Sequence, residues 1–295
     1  MLLKQTVISF PGLGIGDFSL DNVAFTLPFG ENGFSVMWYG VIIALGMVAA
    51  IAYIAYRCKK SEDISTEALM DVAIFTILFG IIGARLYYVV FSLDSFHSIW
   101  DVFDLRSGGL AIYGGIIFGA LTIFIMCKYI KKISWRKFFD AAAPGVMIAQ
   151  AIGRWGNFFN GEAYGSVVEE GNLLYFVRMG LLPNVESSST MYYFHPTFFY
   201  ESLWNVIGFV LINIFYKKKK FDGQVALSYF AWYGFGRMFI EGLRTDSLYL
   251  GGTGIRVSQL LGLLLFLAAT GLMIFGYIKT KKDDTLKEST NGKNN

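Results

Sequence analysis

Charge is scarce in this chain. Of its 295 residues only 16% are Asp, Glu, Lys or Arg, whereas 55% are hydrophobic. That balance excludes a soluble globular domain of this length. Cysteine is nearly absent too: Cys58 and Cys127 are the only two, in no CxxC or metal-ligand spacing, which argues against a disulfide framework or a zinc site. Each lies beside Lys or Arg where a predicted helix ends, and both read as free thiols with no catalytic part. The sequence contains no HExxH, no paired-aspartate motif and no glycine-rich phosphate loop, so its chemistry calls for no metal and no cofactor. Near the amino terminus Lys4 precedes a stretch broken by Pro11, Gly12, Gly14 and Gly16, unlike the continuous apolar run of a cleaved signal. Residues 1–33 are therefore expected to form an external or interfacial cap.

Long apolar runs are abundant. Seven segments, at about 34–56, 69–91, 108–127, 138–160, 196–216, 224–243 and 256–278, approach or exceed the roughly 18–20 residues that a spanning helix needs. Basic residues cluster in alternate connections: Arg57, Lys59 and Lys60; Lys128, Lys131, Lys132, Arg136 and Lys137; Lys217 to Lys220; and Lys279, Lys281, Lys282, Lys287 and Lys293. The opposite side carries only Lys4, Arg106, Arg178, Arg244 and Arg256. By the positive-inside rule the amino terminus lies outside and the carboxyl terminus in the cytoplasm. The expected fold is an all-α polytopic membrane protein with seven transmembrane helices over 34–278 and a small external head at 161–194. The head includes Glu169, Glu170, Arg178 and Ser187 to Ser189, and residues 279–295 are expected to be a disordered cytoplasmic tail. The Lys217 to Lys220 tract reads as a topology determinant.

Three arginines interrupt the apolar segments: Arg85, Arg154 and Arg237. An arginine at the centre of a bilayer costs about 2.5–3.5 kcal/mol even on the lenient insertion scale, so such residues face a polar cavity or a partner. Each lies six residues before the outward end of its span. At 1.5 Å per residue that is a depth of about 9 Å in the outer leaflet. Glu201 enters with span five, and Glu241 ends span six. Tyr233, Arg237 and Glu241 follow i, i+4, i+8 and share one helical face, so Arg237 can pair with Glu241. Three arginines at one depth point to an anion-handling site; a simpler reading, in which arginines neutralise glutamates to hold helices together, stays open, most of all for Arg85.

The richest local pattern is Gly153-Arg154-Trp155-Gly156-Asn157-Phe158-Phe159-Asn160-Gly161-Glu162-Ala163-Tyr164-Gly165. Arg154, Asn157 and Asn160 recur on one helical face, while the glycines let helices or a headgroup approach the backbone. The stretch Gly108-Gly109-Leu110-Ala111-Ile112-Tyr113-Gly114-Gly115 predicts a bent helix start with exposed amides, or else small-residue packing.

Together with Trp38-Tyr39-Gly40, Gly83-Ala84-Arg85, His195-Pro196-Thr197-Phe198-Phe199-Tyr200-Glu201 and Tyr233-Gly234-Phe235-Gly236-Arg237, these motifs resemble the prolipoprotein diacylglyceryl transferase family across nearly every span. The resemblance implies a seven-helix membrane enzyme of the bacterial cytoplasmic membrane. It implies transfer of the diacylglyceryl group of phosphatidylglycerol to the lipobox cysteine of a prolipoprotein signal peptide, leaving a thioether and glycerol phosphate, with no nucleic acid involved. Guanidinium forks suit the departing phosphate, which assigns Arg154 and Arg237 to it. Tyr113 stands where some family members carry histidine and is the candidate base. Tyr39, Asn157, Glu162 and Arg85 are expected at the lipid headgroup, with Asn160, Glu201, Tyr233, Glu241 and His195 in support. His195 reads as a contact at a helix entry and His97 as a loop residue.

An ion-coupled transporter also shows intramembrane charge and broken helices. Seven spans do not divide into two equal repeats, no internal repeat is visible, and the charges sit in one leaflet; only Asp71 and Asp140 near the other ends favour that alternative.

Overall fold

The computed structural model describes residues 6–28, 33–96, 98–104, 108–183 and 191–291, without the side chains of 95 and 287–291. Lys4, His97, Arg106, Ser187 to Ser189, Lys293 and the Lys287 side chain therefore lie outside the described residues. Among the described residues there are seven long helices: α1 (Trp38–Arg57), α2 (Thr66–Phe91), then after the short α3 (Ile99–Phe103), α4 (Ile112–Ile125), α5 (Trp135–Asn160), α6 (Thr197–Phe215), α7 (Gln224–Leu243) and α8 (Val257–Asn291). Five helical stretches, Trp38–Glu62, Thr66–Phe91, Ile112–Ile130, Thr197–Lys218 and Val257–Leu286, are long and apolar enough to cross a membrane, which makes this a polytopic membrane protein. The 26-residue α5 and 20-residue α7 have the length but carry more polar residues.

The all-α expectation needs correction. The described residues include strands β1 (Thr6–Phe10), β2 (Ile15–Leu20), β3 (Val23–Leu27), β4 (Phe34–Met37), β5 (Met179–Pro183) and β6 (Tyr192–Phe194). β3 and β4 form a hairpin that runs directly into α1. The other four make one antiparallel sheet in the order β2-β1-β5-β6. The amino-terminal cap and the segment after α5 are thus a single head, joined from Thr6 opposite Pro183 to Ser9 opposite Gly180. A lone β1-β2 hairpin would be marginal. Here Ile8, Met179 and Leu181 are buried against Phe158 of α5 and Phe198 of α6, so the sheet is held by the helix ends.

The chain divides into two compact units, Met1–Ala52 with Ala142–Asn295, and Tyr53–Ala141. In the first, glycines bring helices into backbone contact: a methyl added at Gly234 would lie 2.6 Å from the Gly262 carbonyl oxygen, and one at Gly262 would lie 2.9 Å from that of Gly234. This seam joins α7 to α8. Between α6 and α7, Trp204 and Trp232 stack with ring centroids 4.1 Å apart. Each indole N–H donates to the other's backbone carbonyl, at 3.1 and 3.0 Å. Gly208 and Gly236 leave the room those indoles need. α8 continues to Asn291, into the segment 279–295 expected as a cytoplasmic tail.

In the second unit, α2 packs on α4 where a methyl at Gly114 would meet the Gly83 carbonyl oxygen at 2.2 Å. Gly108 and Gly109 adopt φ of 87° and 75°, a left-handed bend that glycine tolerates, and α4 begins three residues later. Asp71 pairs with Lys131. Cys58 and Cys127 are unpaired, buried thiols at the ends of α1 and α4.

Candidate active site

Three helix ends in the first unit meet at Glu201. α5 brings Arg154, the first turns of α6 bring Glu201, and α7 brings Arg237 and Glu241. Each helix is fixed in place before the charges are considered. The Trp155 indole on α5 donates to Ser202 Oγ at 3.3 Å, and Ser202 donates in turn to the Ala151 carbonyl at 2.9 Å, tying α5 to α6. The tryptophan pair ties α6 to α7, and Gln259 of α8 donates to the Met238 carbonyl at 2.7 Å. The charged side chains are therefore presented by rigid elements.

Glu201 is 5% exposed and contacts three guanidinium groups. Its Oε2 lies 2.5 Å from Arg154 Nη2. Arg237 Nη1 is 3.1 Å from both carboxylate oxygens. Arg244 Nη1 donates to Oε1, also at 3.1 Å. Arg237 extends its other nitrogen, Nη2, to Glu241 Oε2 at 2.6 Å, an ion pair by distance although its angles are not those of a hydrogen bond. Glu241 Oε1 accepts from Ser247 Oγ at 2.8 Å, and its main-chain oxygen accepts from Arg256. Glu201 meets Arg154, Arg237 and Arg244, and among the described residues the Glu241 carboxylate pairs with Arg237.

Arg244, Asp246, Ser247 and Arg256 lie outside the motifs that the sequence marks as site residues. Arg244 directly follows the end of α7, where a basic residue reads from sequence as a topology signal. Its Nε and Nη2 grip the Asp246 carboxylate at 3.0 and 2.7 Å. Burial pushes the Asp246 carboxyl up, but the bonds and charge of Arg244 outweigh it, leaving the group below its usual range. A usable signal was present in the alternation Arg237, Glu241, Arg244, Asp246 at the exit of a helix, where no apolar periodicity explains four charges.

The polar stripe on α5 leads away from this node. Arg154 Nη1 reaches Asn157 Oδ1 at 3.5 Å, a long contact. Asn157 and Asn160 both donate to Glu162 Oε1 at 3.1 Å. Tyr39 of α1 packs over Gly156, where a methyl would come within 2.9 Å of its ring. Tyr233 lies one turn before Arg237 and joins Glu201 and Arg237 in lining a small cavity. His195 is 3% exposed, bonds through Nδ1 to Tyr200 Oη at 3.2 Å, and is held between residues 165–166 and the start of α6. Burial lowers its pKa.

Arg85 and Tyr113 belong to the second unit. Arg85, 7% exposed, spends its guanidinium on four carbonyls: Val102 at 2.8 Å, Gly108 at 2.7 Å, Gly109 at 3.0 Å and Asp101 at 2.5 Å. Four of its five donors hold α3 and the glycine bend, which makes it a loop anchor within its unit. The Tyr113 ring is 37% exposed and lies 6.4 Å from that of Tyr87.

A family model described as prolipoprotein diacylglyceryl transferase matches residues 23–275. Similar proteins include a phosphatidylglycerol–prolipoprotein diacylglyceryl transferase 1 of Clostridium perfringens (strain 13 / Type A), 43% identical over 250 residues, covering 83% of this chain and 90% of that protein. A phosphatidylglycerol–prolipoprotein diacylglyceryl transferase of Clostridium kluyveri is 41% identical, with 83% and 92% covered. Another, from Clostridium botulinum (strain Langeland), is 41% identical, with 87% and 98% covered. On a match that spans most of its length, this chain belongs to the prolipoprotein diacylglyceryl transferase family.

Proposed function

We propose that this chain transfers the diacylglyceryl group of phosphatidylglycerol to the lipobox cysteine of a prolipoprotein signal peptide, the first step of lipoprotein maturation. The observation that carries the chemistry is the convergence of Arg154, Arg237 and Arg244 within 3.1 Å of one carboxylate. Guanidinium groups gathered on an anion are what a departing phosphate needs. The cysteine sulfur attacks the terminal glyceryl carbon, the carbon–oxygen bond to phosphate breaks, and glycerol phosphate leaves with both electrons of that bond. Sulfur loses its proton, and the product is a thioether. Arg154 and Arg237 bind the phosphate and take up the charge that grows on the leaving oxygen.

A cysteine thiol has a pKa near 8.5, and a cationic surrounding lowers it, raising the thiolate fraction. Tyr113 is the candidate acceptor for that proton, a role it could fill only as its phenolate. Tyr39, Asn157 and Glu162 face the glycerol headgroup, and Asn160, Tyr233, Glu241 and His195 hold the site's geometry. Arg85 serves through its loop.

All seven long helices span the bacterial cytoplasmic membrane in this reading, with the amino terminus outside, the α8 end in the cytoplasm and the arginine node in the outer leaflet. Support comes from the charge asymmetry of the connections and from the polar residues of α5 and α7, which explain why those two are less apolar than the rest. The β-sheet head then lies outside, over the ends of α5 and α6, and receives the exported precursor. The test is to incubate the purified chain with phosphatidylglycerol and a lipobox peptide. The mass of one diacylglyceryl group should appear on the cysteine peptide and not on its serine counterpart; absence of that product rejects the assignment.

A further inference from the structure

Among the carboxylates of the node, Glu201 differs in how it is held. Asp246 is gripped through two oxygens by Arg244. Glu241, 2% exposed, is pinned by the Ser247 hydroxyl as well as by Arg237. The Glu201 carboxylate has only guanidinium partners among the described residues: Arg154, Arg237 and Arg244. Two of those three partners, Arg154 and Arg237, are the groups assigned to an incoming phosphate. The node is also charge-balanced, with Arg154, Arg237 and Arg244 against Glu201, Glu241 and Asp246; the nearby Arg256 contacts Glu241 only through the main chain.

A phosphate anion cannot add to these donors without competing. Arg154 and Arg237 are the two guanidinium groups of the three with the more exposed side chains, 24% and 15% against 10% for Arg244. Arg154 has no described partner other than Glu201 and Asn157. A small cavity lined by Glu201, Asn205, Tyr233 and Arg237 adjoins the carboxylate. Retaining Arg244 while surrendering Arg154 and part of Arg237 would keep Glu201 paired, which matters because stripping a buried carboxylate of every partner costs several kcal/mol.

We propose that Glu201 is an exchange anion for the phosphate. It holds the three guanidinium groups converged, yields Arg154 and one donor of Arg237 to the phosphate of the lipid, and returns to them as glycerol phosphate leaves. It is a positioning residue that acts through the arginines and touches no reacting atom. This inference rests on the transferase reading and adds to it a prediction with an unusual sign: neutralising a buried residue of the site should tighten its hold on the product.

The experiment measures glycerol phosphate affinity, by calorimetry and by inhibition of peptide transfer, for the purified full chain and for Glu201→Gln. Glutamine keeps the shape and removes the competing charge. The expected result is at least tenfold tighter glycerol phosphate binding, a lower KM for phosphatidylglycerol and a lower kcat limited by product release. Unchanged or weaker binding by a variant whose thermal midpoint matches wild type overturns the proposal, leaving Glu201 a structural counterion. Should Glu201→Gln not fold, Glu201→Asp decides, because its carboxylate is drawn back by about 1.5 Å and cannot bridge three guanidinium groups. Tighter binding by that variant supports exchange; equal or weaker binding rejects it. If wild type itself yields no thioether, the transferase reading fails instead, so the two failures are distinct.

Discussion

Arg237 serves two masters, and a paired substitution separates them. Its Nη1 faces Glu201 and its Nη2 faces Glu241. In Arg237→Ala, Glu201 keeps Arg154 and Arg244, but among the described residues the Glu241 carboxylate, 2% exposed, keeps only the Ser247 hydroxyl. Removing one partner of a buried ion pair costs about 3–5 kcal/mol, most of it from the charge left behind. Replacing that charge as well, in Arg237→Ala/Glu241→Gln, preserves the acceptor for Ser247 and should restore most of the stability. Activity should not follow. Loss of one preorganised donor to a developing negative charge lowers kcat by about 10²–10³, or about 2.7–4 kcal/mol of barrier, and glutamine at 241 supplies no cation. The assay compares thermal midpoints in one detergent with rates of diacylglyceryl transfer for wild type, both single variants and the double variant. A double variant that recovers both stability and rate would refute the reasoning, since Arg237 would then be a counterion and nothing more.

Arg85→Ala removes the side-chain donor of the Val102, Gly108 and Gly109 carbonyls, while the Asp101 carbonyl keeps the Asp104 N–H, and should destabilise the Tyr53–Ala141 unit by at least about 1–3 kcal/mol, the cost of one unsatisfied buried group; protease nicking within 98–109, followed by mass spectrometry, reads it out. Gly114→Ala places a methyl against the Gly83 carbonyl and should cost about 1–3 kcal/mol or more by forcing α2 and α4 apart, seen as a lowered thermal midpoint. His195 titrates below its usual value of 6.5 because burial disfavours its charged form. Between that value and its folded-state pKa the unfolded chain binds more protons, so its contribution is complete above pH 6.5 and declines as pH falls through the folded-state value. Melting curves from pH 8 downward should show the decline in wild type and a flatter profile in His195→Asn; equal slopes would contradict it.

The helices were legible because apolar runs of membrane length have few other uses. Gln224–Leu243 matches the predicted 224–243, and α6 differs by one residue at each end. Arg154, Glu201, Arg237 and Glu241 were legible because charge within such runs is costly and must be compensated. The head was not. Its pairing joins Thr6 to Pro183, far apart in sequence, and its strands are three to six residues long, too short for alternation to declare them. Arg244 was missed for a related reason: just past a helix end, a basic residue looks like an ordinary solvated charge, and only the fold of the 244–247 turn brings it back onto Glu201.

The most direct test of the central claim is to count both products of one reaction. Wild type, given phosphatidylglycerol and a lipobox peptide, should yield diacylglyceryl thioether and glycerol phosphate in equal amounts. Arg154→Ala, folded by its thermal midpoint, should yield both at a rate about a hundredfold lower or less. Full-rate product formation by folded Arg154→Ala would contradict the account, because the phosphate would then be leaving without the guanidinium assigned to hold it.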